Sequence, residues 1–223
     1  MIVDRELREK VCRLNIDLEI FGLVAWTSGN VSERLPDGKS FIIKPSGVKY
    51  SDLTSEMLVI CDLDGNVIEG KLSPSSDTAT HAYIYRQMSE VGGVAHTHSN
   101  YASAWSVIQS PIPCVLTAMA DEFGGPIPLG PFALIGGEAI GKGVVETLRG
   151  HRSNAVIMKN HGVFTIGKNG DAAVKSAVMC EDLAKTTWIA RTMGIIQEID
   201  QSDIDQLFAR YQNVYGQTTG DSK

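Results

Sequence analysis

The feature that most constrains this chain is Val91-Gly-Gly-Val-Ala-His-Thr-His98, an apolar run that closes on two histidines. It reads as a buried strand, and strand side chains alternate between faces, so His96 and His98 project from the same side. A second apolar run, Ala155-Val-Ile-Met-Lys-Asn160, leads into His161-Gly162. Three of only five histidines therefore stand at strand ends. Three imidazoles with a coordination position left open are the donor set of a catalytic rather than a structural metal site. The other reading is two satisfied core histidines and one loop histidine. It suits any one of them alone better than it suits all three together.

The rest of the chain supplies elements to carry such strands. Val3, Leu7, Val11, Leu14, Leu18 and Phe21 recur at helical spacing, and Gly22 ends that helix. Residues 26–34 read as a strand start kinked at Gly29-Asn30, and residues 41–44 as a second strand broken by Pro45-Ser-Gly47. Asp64-Gly65 joins two apolar runs as a hairpin. Ser75-Ser-Asp-Thr78 caps a helix running to about residue 88. Between the histidine strands the sequence predicts a helix near residues 101–109, a proline-rich strand pair, and a helix near 138–148. Asp171 is expected to cap a long helix to about residue 192, and a last helix follows near 203–213. Hairpins and neighbouring strands between helices predict a single α/β domain over residues 1–217. Its central sheet is largely antiparallel with helices on both faces, a three-layer α/β/α arrangement. Residues 218–223 are expected to form a disordered tail.

Composition bounds the function. With 43% apolar residues and 21% charged, the 223-residue chain can bury a real core. A net charge of −6 argues against general binding to nucleic acid or an anionic membrane, while leaving room for a local positive pocket. No stretch approaches the ~20 apolar residues of a membrane span. The charged, helical start is unlike a signal peptide, and Cys12, Cys61, Cys114 and Cys180 show no CxxC spacing. Reduced thiols in the cytoplasm are the expectation.

Three short polar loops interrupt the apolar runs: Ser28-Gly29-Asn30, Lys44-Pro45-Ser46-Gly47 and Ser75-Ser76-Asp77. Small residues let backbone amides approach an anion, so Ser46, Gly47, Ser75 and Ser76 with Lys44 suit a phosphate. Each loop alone reads equally as a turn or cap. Gly136-Gly137 with Gly141 does not match the dinucleotide fingerprint, and no Walker loop is present. Asp77 is open as a fourth metal ligand or an acid/base, although aspartate is also favoured in a first helical turn. Asp121 is a carboxylate between apolar segments, and Tyr215 an aromatic near the chain end. From the residues alone, the chemistry is a metal-assisted reaction on a phosphorylated small molecule. A carboxylate and a phenol are its candidate proton carriers.

Read in order, Gly29-Asn-Val-Ser32, Lys44-Pro-Ser-Gly-Val48, Pro74-Ser-Ser-Asp-Thr78 with His81, His96-Thr-His-Ser99, Asn160-His-Gly162 and Tyr215-Gly-Gln217 form one pattern. The set resembles the class II aldolase/adducin superfamily over residues 23–217, and within it the L-ribulose-5-phosphate 4-epimerases. The resemblance implies one zinc per chain, with manganese as the alternative, held by His96, His98 and His161 with Asp77 as a further ligand or neighbour. It implies substrate contacts at Gly29, Asn30, Lys44, Ser46, Gly47, Ser75 and Ser76, and Asp121 and Tyr215 as the acid/base pair. The implied activity is epimerisation of L-ribulose 5-phosphate to D-xylulose 5-phosphate, as in arabinose catabolism, by breaking and re-forming the C3–C4 bond. The implied assembly is a homotetramer with active sites between subunits. A class II ketose-phosphate aldolase of the fuculose-phosphate type is the alternative, and those enzymes carry Glu where Asp77 stands. An adducin-like interaction domain is a third reading. The sequence departs from the epimerases at Met119, where they carry a histidine, and in having no histidine beyond His161.

Overall fold

Alternation of side chains along eight short strands builds the framework, which the computed structural model describes for residues 5–214. Tyr215 and the expected tail at 218–223 lie outside the described residues. The strands are β1 (Asn30–Arg34), β2 (Ser40–Ile43), β3 (Val59–Asp62), β4 (Val67–Glu69), β5 (Gly93–Thr97), β6 (Leu129–Gly130), β7 (Ala155–Met158) and β8 (Val163–Gly167). They form one sheet in the order β4-β3-β2-β1-β5-β8-β7-β6. All pairs are antiparallel except β6–β7.

Phe41, Val59, Val94, Val156 and Phe164 turn to one face, under helices α2 (Thr78–Gln87) and α5 (Ala139–Leu148). Their neighbours Ile42, Ile60, Ala95, Ile157 and Val163 turn to the other. That face carries α1 (Arg5–Ile20), α3 (Asn100–Val107), α4 (Thr117–Phe123) and α6 (Gly170–Met193), with α7 (Gln201–Val214) against α4. A sheet apolar on both faces must be covered on both, which gives the three layers. Each fully buried Val, Leu, Ile or Phe contributes about 1.5–3 kcal/mol.

Three local expectations change. Part of the proline-rich segment is helix α4, and a single bridge between Ile112 and Ile127 is what remains of a strand pair. Met119, Ala120 and Phe123 share one helical face and are fully buried, so packing decides for helix there. Helix α6 is capped by Asn169, whose Oδ1 accepts from Ala172 N at 2.9 Å. Asp171 instead pairs with Lys10 at 2.8 Å. Finally, β7 stops at Met158 rather than running to His161, and turns straight into β8, placing His161 at a hairpin tip.

Candidate functional site

The site grows from the register of the central strands. On β5, His96 lies opposite Asn30 of β1 and Phe164 of β8. His98, just past the strand end, is fixed by its backbone N–H donating to Leu23 O at 3.1 Å. The chain beyond it is held by Glu181 of α6, whose carboxylate accepts from Tyr101 N and Ala102 N at the start of α3. His161 arrives from the β7–β8 turn, closed by Met158 N to Gly162 O at 2.8 Å and His161 N to Met158 O at 3.0 Å. Gly162 is needed there, because a Cβ would lie 2.4 Å from Thr97 O and 3.3 Å from His96 Cε1. The ring centroids of His96, His98 and His161 stand 4.6, 4.9 and 5.2 Å apart. One nitrogen from each lies within 4.8 Å of the others.

His96 is fully buried and stacks on Phe164, with centroids 4.0 Å apart and planes 8° from parallel. Its Nδ1 lies 2.8 Å from Val163 O. A carbonyl only accepts, so Nδ1 carries the proton and Nε2 keeps its lone pair. Burial pushes the His96 pKa down to about 3 and also lowers those of His98 and His161, which keeps the imidazoles neutral. His161 Nδ1 is buried without a hydrogen-bond partner. Neutral nitrogens, an orphaned ring atom and a glycine-made cradle fit a divalent metal.

Beside the triad, the three polar loops meet around a cavity of about 310 Å³. Ser46 N to Ser73 O at 2.9 Å and Ser75 N to Lys44 O at 3.0 Å join two of the loops. The third passes close behind His96. Gly29 takes φ +74°, and a Cβ there would meet His96 O at 2.7 Å. Asn30 Nδ2 donates to Asp77 Oδ2 at 2.7 Å and to Ser75 Oγ at 3.0 Å. Lys44 is 1% exposed. Its ammonium sits 4.8 Å over the Tyr50 ring, with carbonyl contacts of 3.4 Å to Thr27 and Pro45. Burial pushes its pKa down to about 8.

Gly29, Asn30, Lys44, Ser46, Gly47, Ser75, Ser76, Asp77 and the three histidines all line this cavity. Asp77 stands beside the compact group of imidazoles rather than within it, tied to Asn30. Asp121 is not among the lining residues. It belongs to α4, which packs on the opposite face of the sheet, and its Oδ1 is buried without a partner. Sequence reasoning missed Phe164, Val163 and Ile135. The first two support His96 through a strand pairing that no local pattern announces. It also missed the network behind α2, where Ser32 Oγ lies 2.7 Å from both His81 Nδ1 and Tyr85 OH.

The family model of the Class II Aldolase and Adducin N-terminal domain matches residues 9–188. Among solved structures, an L-fuculose 1-phosphate aldolase superposes with a TM-score of 0.88 at 21% identity, covering 94% of this chain and 98% of that one. A second L-fuculose-1-phosphate aldolase, from Thermus thermophilus, gives 0.70 at 26% identity, over 85% and 97% of the two chains. An Escherichia coli protein whose reaction is named only as aldolase, epimerase or decarboxylase gives 0.78 at 25% identity, over 91% and 97%.

Proposed function

Because the chain belongs to the class II aldolase and adducin family, we propose that it is a metal-dependent 4-epimerase of L-ribulose 5-phosphate, acting by cleavage and re-formation of the C3–C4 bond. The observation that carries this reading is the tie between Asn30 and Asp77. An aspartate held back in this way reaches less far towards a cleaved substrate than a glutamate would. That disfavours a simple aldolase, which must protonate and release its fragment. His96, His98 and His161 would hold zinc, favoured by three neutral imidazoles, with manganese the alternative. Bound there, the cation supplies Lewis acidity towards the ketose carbonyl.

The remaining work belongs to the chain. Ser46, Gly47, Ser75, Ser76 and Lys44 grip the phosphate, while Gly29 and Asn30 contact the sugar. The C4 hydroxyl loses its proton as the C3–C4 bond breaks, and glycolaldehyde phosphate turns over with its phosphate still held. The bond then re-forms, and the C4 oxygen is protonated from the other side. Two proton carriers on opposite sides are required, and Asp121 and Tyr215 are assigned to them. Since Asp121 does not line its own chain's cavity, both are assigned to a neighbouring subunit of a homotetramer, in the cytoplasm. The rim supports such covering: Ile135 and Leu134 are 71% and 75% exposed at one side of the mouth, and Trp26 71% at the loop preceding Thr27.

Incubation with L-ribulose 5-phosphate followed by NMR tests the reading. D-xylulose 5-phosphate is expected, and a three-carbon and a two-carbon product instead would replace it with an aldolase. That second reading is favoured by the names of the two solved aldolases. A metal-free protein would favour the adducin-like domain.

Lys44 gives a prediction of opposite sign for binding and stability. Its pKa of about 8 lies below the ordinary 10.5 of lysine, so folding must oppose the buried charge. Stability should therefore rise with pH between these two values, where the unfolded chain binds more protons. Phosphate binding needs the cation and should weaken above about pH 8. At pH 7, Lys44→Met should raise KM at least ~10-fold yet raise the melting temperature. A lower melting temperature for Lys44→Met would contradict this account.

A further inference from the structure

Helix α4 carries Asp121 and, one residue later, Glu122, whose side chain turns inward and is 8% exposed. Its carboxylate accepts from Lys175 Nζ at 2.6 Å, from Tyr211 OH at 2.9 Å and from Ser176 Oγ at 3.2 Å. Lys175 also donates to the Tyr211 hydroxyl. One buried carboxylate thus gathers donors from α6 and α7 onto α4. The same two helices, α4 and α7, meet again at Gly124, the left-handed C-cap of α4. A Cβ there would lie 2.8 Å from Arg152 side-chain atoms and 2.9 Å from Phe208 Cδ2 of α7. Arg152 in turn pairs with Asp205 of α7 at 2.5 Å. None of these residues lines the metal cavity. A buried carboxylate with three donors is a costly way to join two helices that apolar packing already joins, so a directional role is its better account.

We propose that Glu122 is a positioning residue: with Lys175 and Tyr211 it locks α4 and α7 into one unit, fixing Asp121 and the end of α7 at Val214, which Tyr215 follows in the sequence. The proposal rests on the assignment of Asp121 and Tyr215 to a neighbour's site. Asp121 on α4 and Tyr215, which follows α7 in the sequence, must reach opposite sides of one carbon together. A displacement of about 1 Å in either costs on the order of 100-fold in rate. The clamp removes the relative motion of α4 and α7.

The test uses the whole oligomer and L-ribulose 5-phosphate. Tyr211→Phe, which deletes one hydroxyl, and Glu122→Gln should each lower kcat about 10- to 100-fold, with KM, metal content and melting temperature close to wild type. Subunits of either variant, exchanged with His96→Ala subunits, should regain activity, because some sites then pair an intact triad with an intact clamp. If Glu122→Gln fails to fold, Tyr211→Phe carries the test. Wild-type kcat in both, or loss that tracks metal content, overturns the proposal. So do inactive hybrids when Asp121→Asn with His96→Ala recovers. Failure of that Asp121→Asn control after proven exchange overturns the shared-site reading and the clamp's role with it.

Discussion

Chains carrying His96→Ala or His161→Ala should lose bound metal and at least ~1,000-fold of turnover, since a Lewis acid supplies several kcal/mol of transition-state stabilisation. The two variants probe different supports. His96 is buried against Phe164, and its Nδ1–H is spent on Val163 O. Its truncation therefore also opens a packing defect and should lower the melting temperature. His161 sits on a turn, half-buried, so its loss should spare the fold and report on the metal alone. Metal per chain, measured by elemental analysis beside turnover, decides the matter. About one equivalent is expected in wild type and far less in each variant. Full occupancy with full activity in both would remove the triad from the mechanism.

Asp121→Asn and Tyr215→Phe should each slow epimerisation by ~100- to 10,000-fold, the usual range for a lost general acid or base. Metal and fold should remain. The phenol's ordinary pKa of about 10 means that Tyr215 works as a base only near positive charge, so its variant should show the steeper change in pH dependence. Mixed oligomers of His96→Ala and Tyr215→Phe chains should recover part of the activity, because some sites then receive both intact halves. Proven subunit exchange without recovery would return Tyr215 to its own chain. Deuterium from solvent appearing at C4 during turnover would exclude bond cleavage altogether, since that route exchanges only the oxygen-bound proton there.

Much of this was legible in the chain. Strand alternation placed His96 and His98 on one face before any contact was known, since a period of two is a local property. The Asp64-Gly65 hairpin follows from turn chemistry, which is likewise local, and α2 starts after Asp77 as expected, although no side chain caps its first turn. The small-residue loops were expected to offer open backbone to an anion for the same reason, and the structure gathers all three around one cavity.

Packing between distant segments decided the rest. Residues 117–123 are helical because Met119, Ala120 and Phe123 reach a common core, not because their neighbours read as helix. Asn169 caps α6 in place of Asp171, whose carboxylate is drawn to Lys10 from the first helix. Asp77, at the start of α2, became a neighbour of the triad through Asn30, 47 residues away on β1. The sequence by itself determined which side chains are candidates for a metal and for a phosphate, and on which elements they ride. Only the tertiary structure decided which of them meet. Convergence of His161 on β5 depends on the pairing of β5 with β8, which sets His96 opposite Phe164, and that closure is driven by burial of whole sheet faces, which no local stretch encodes.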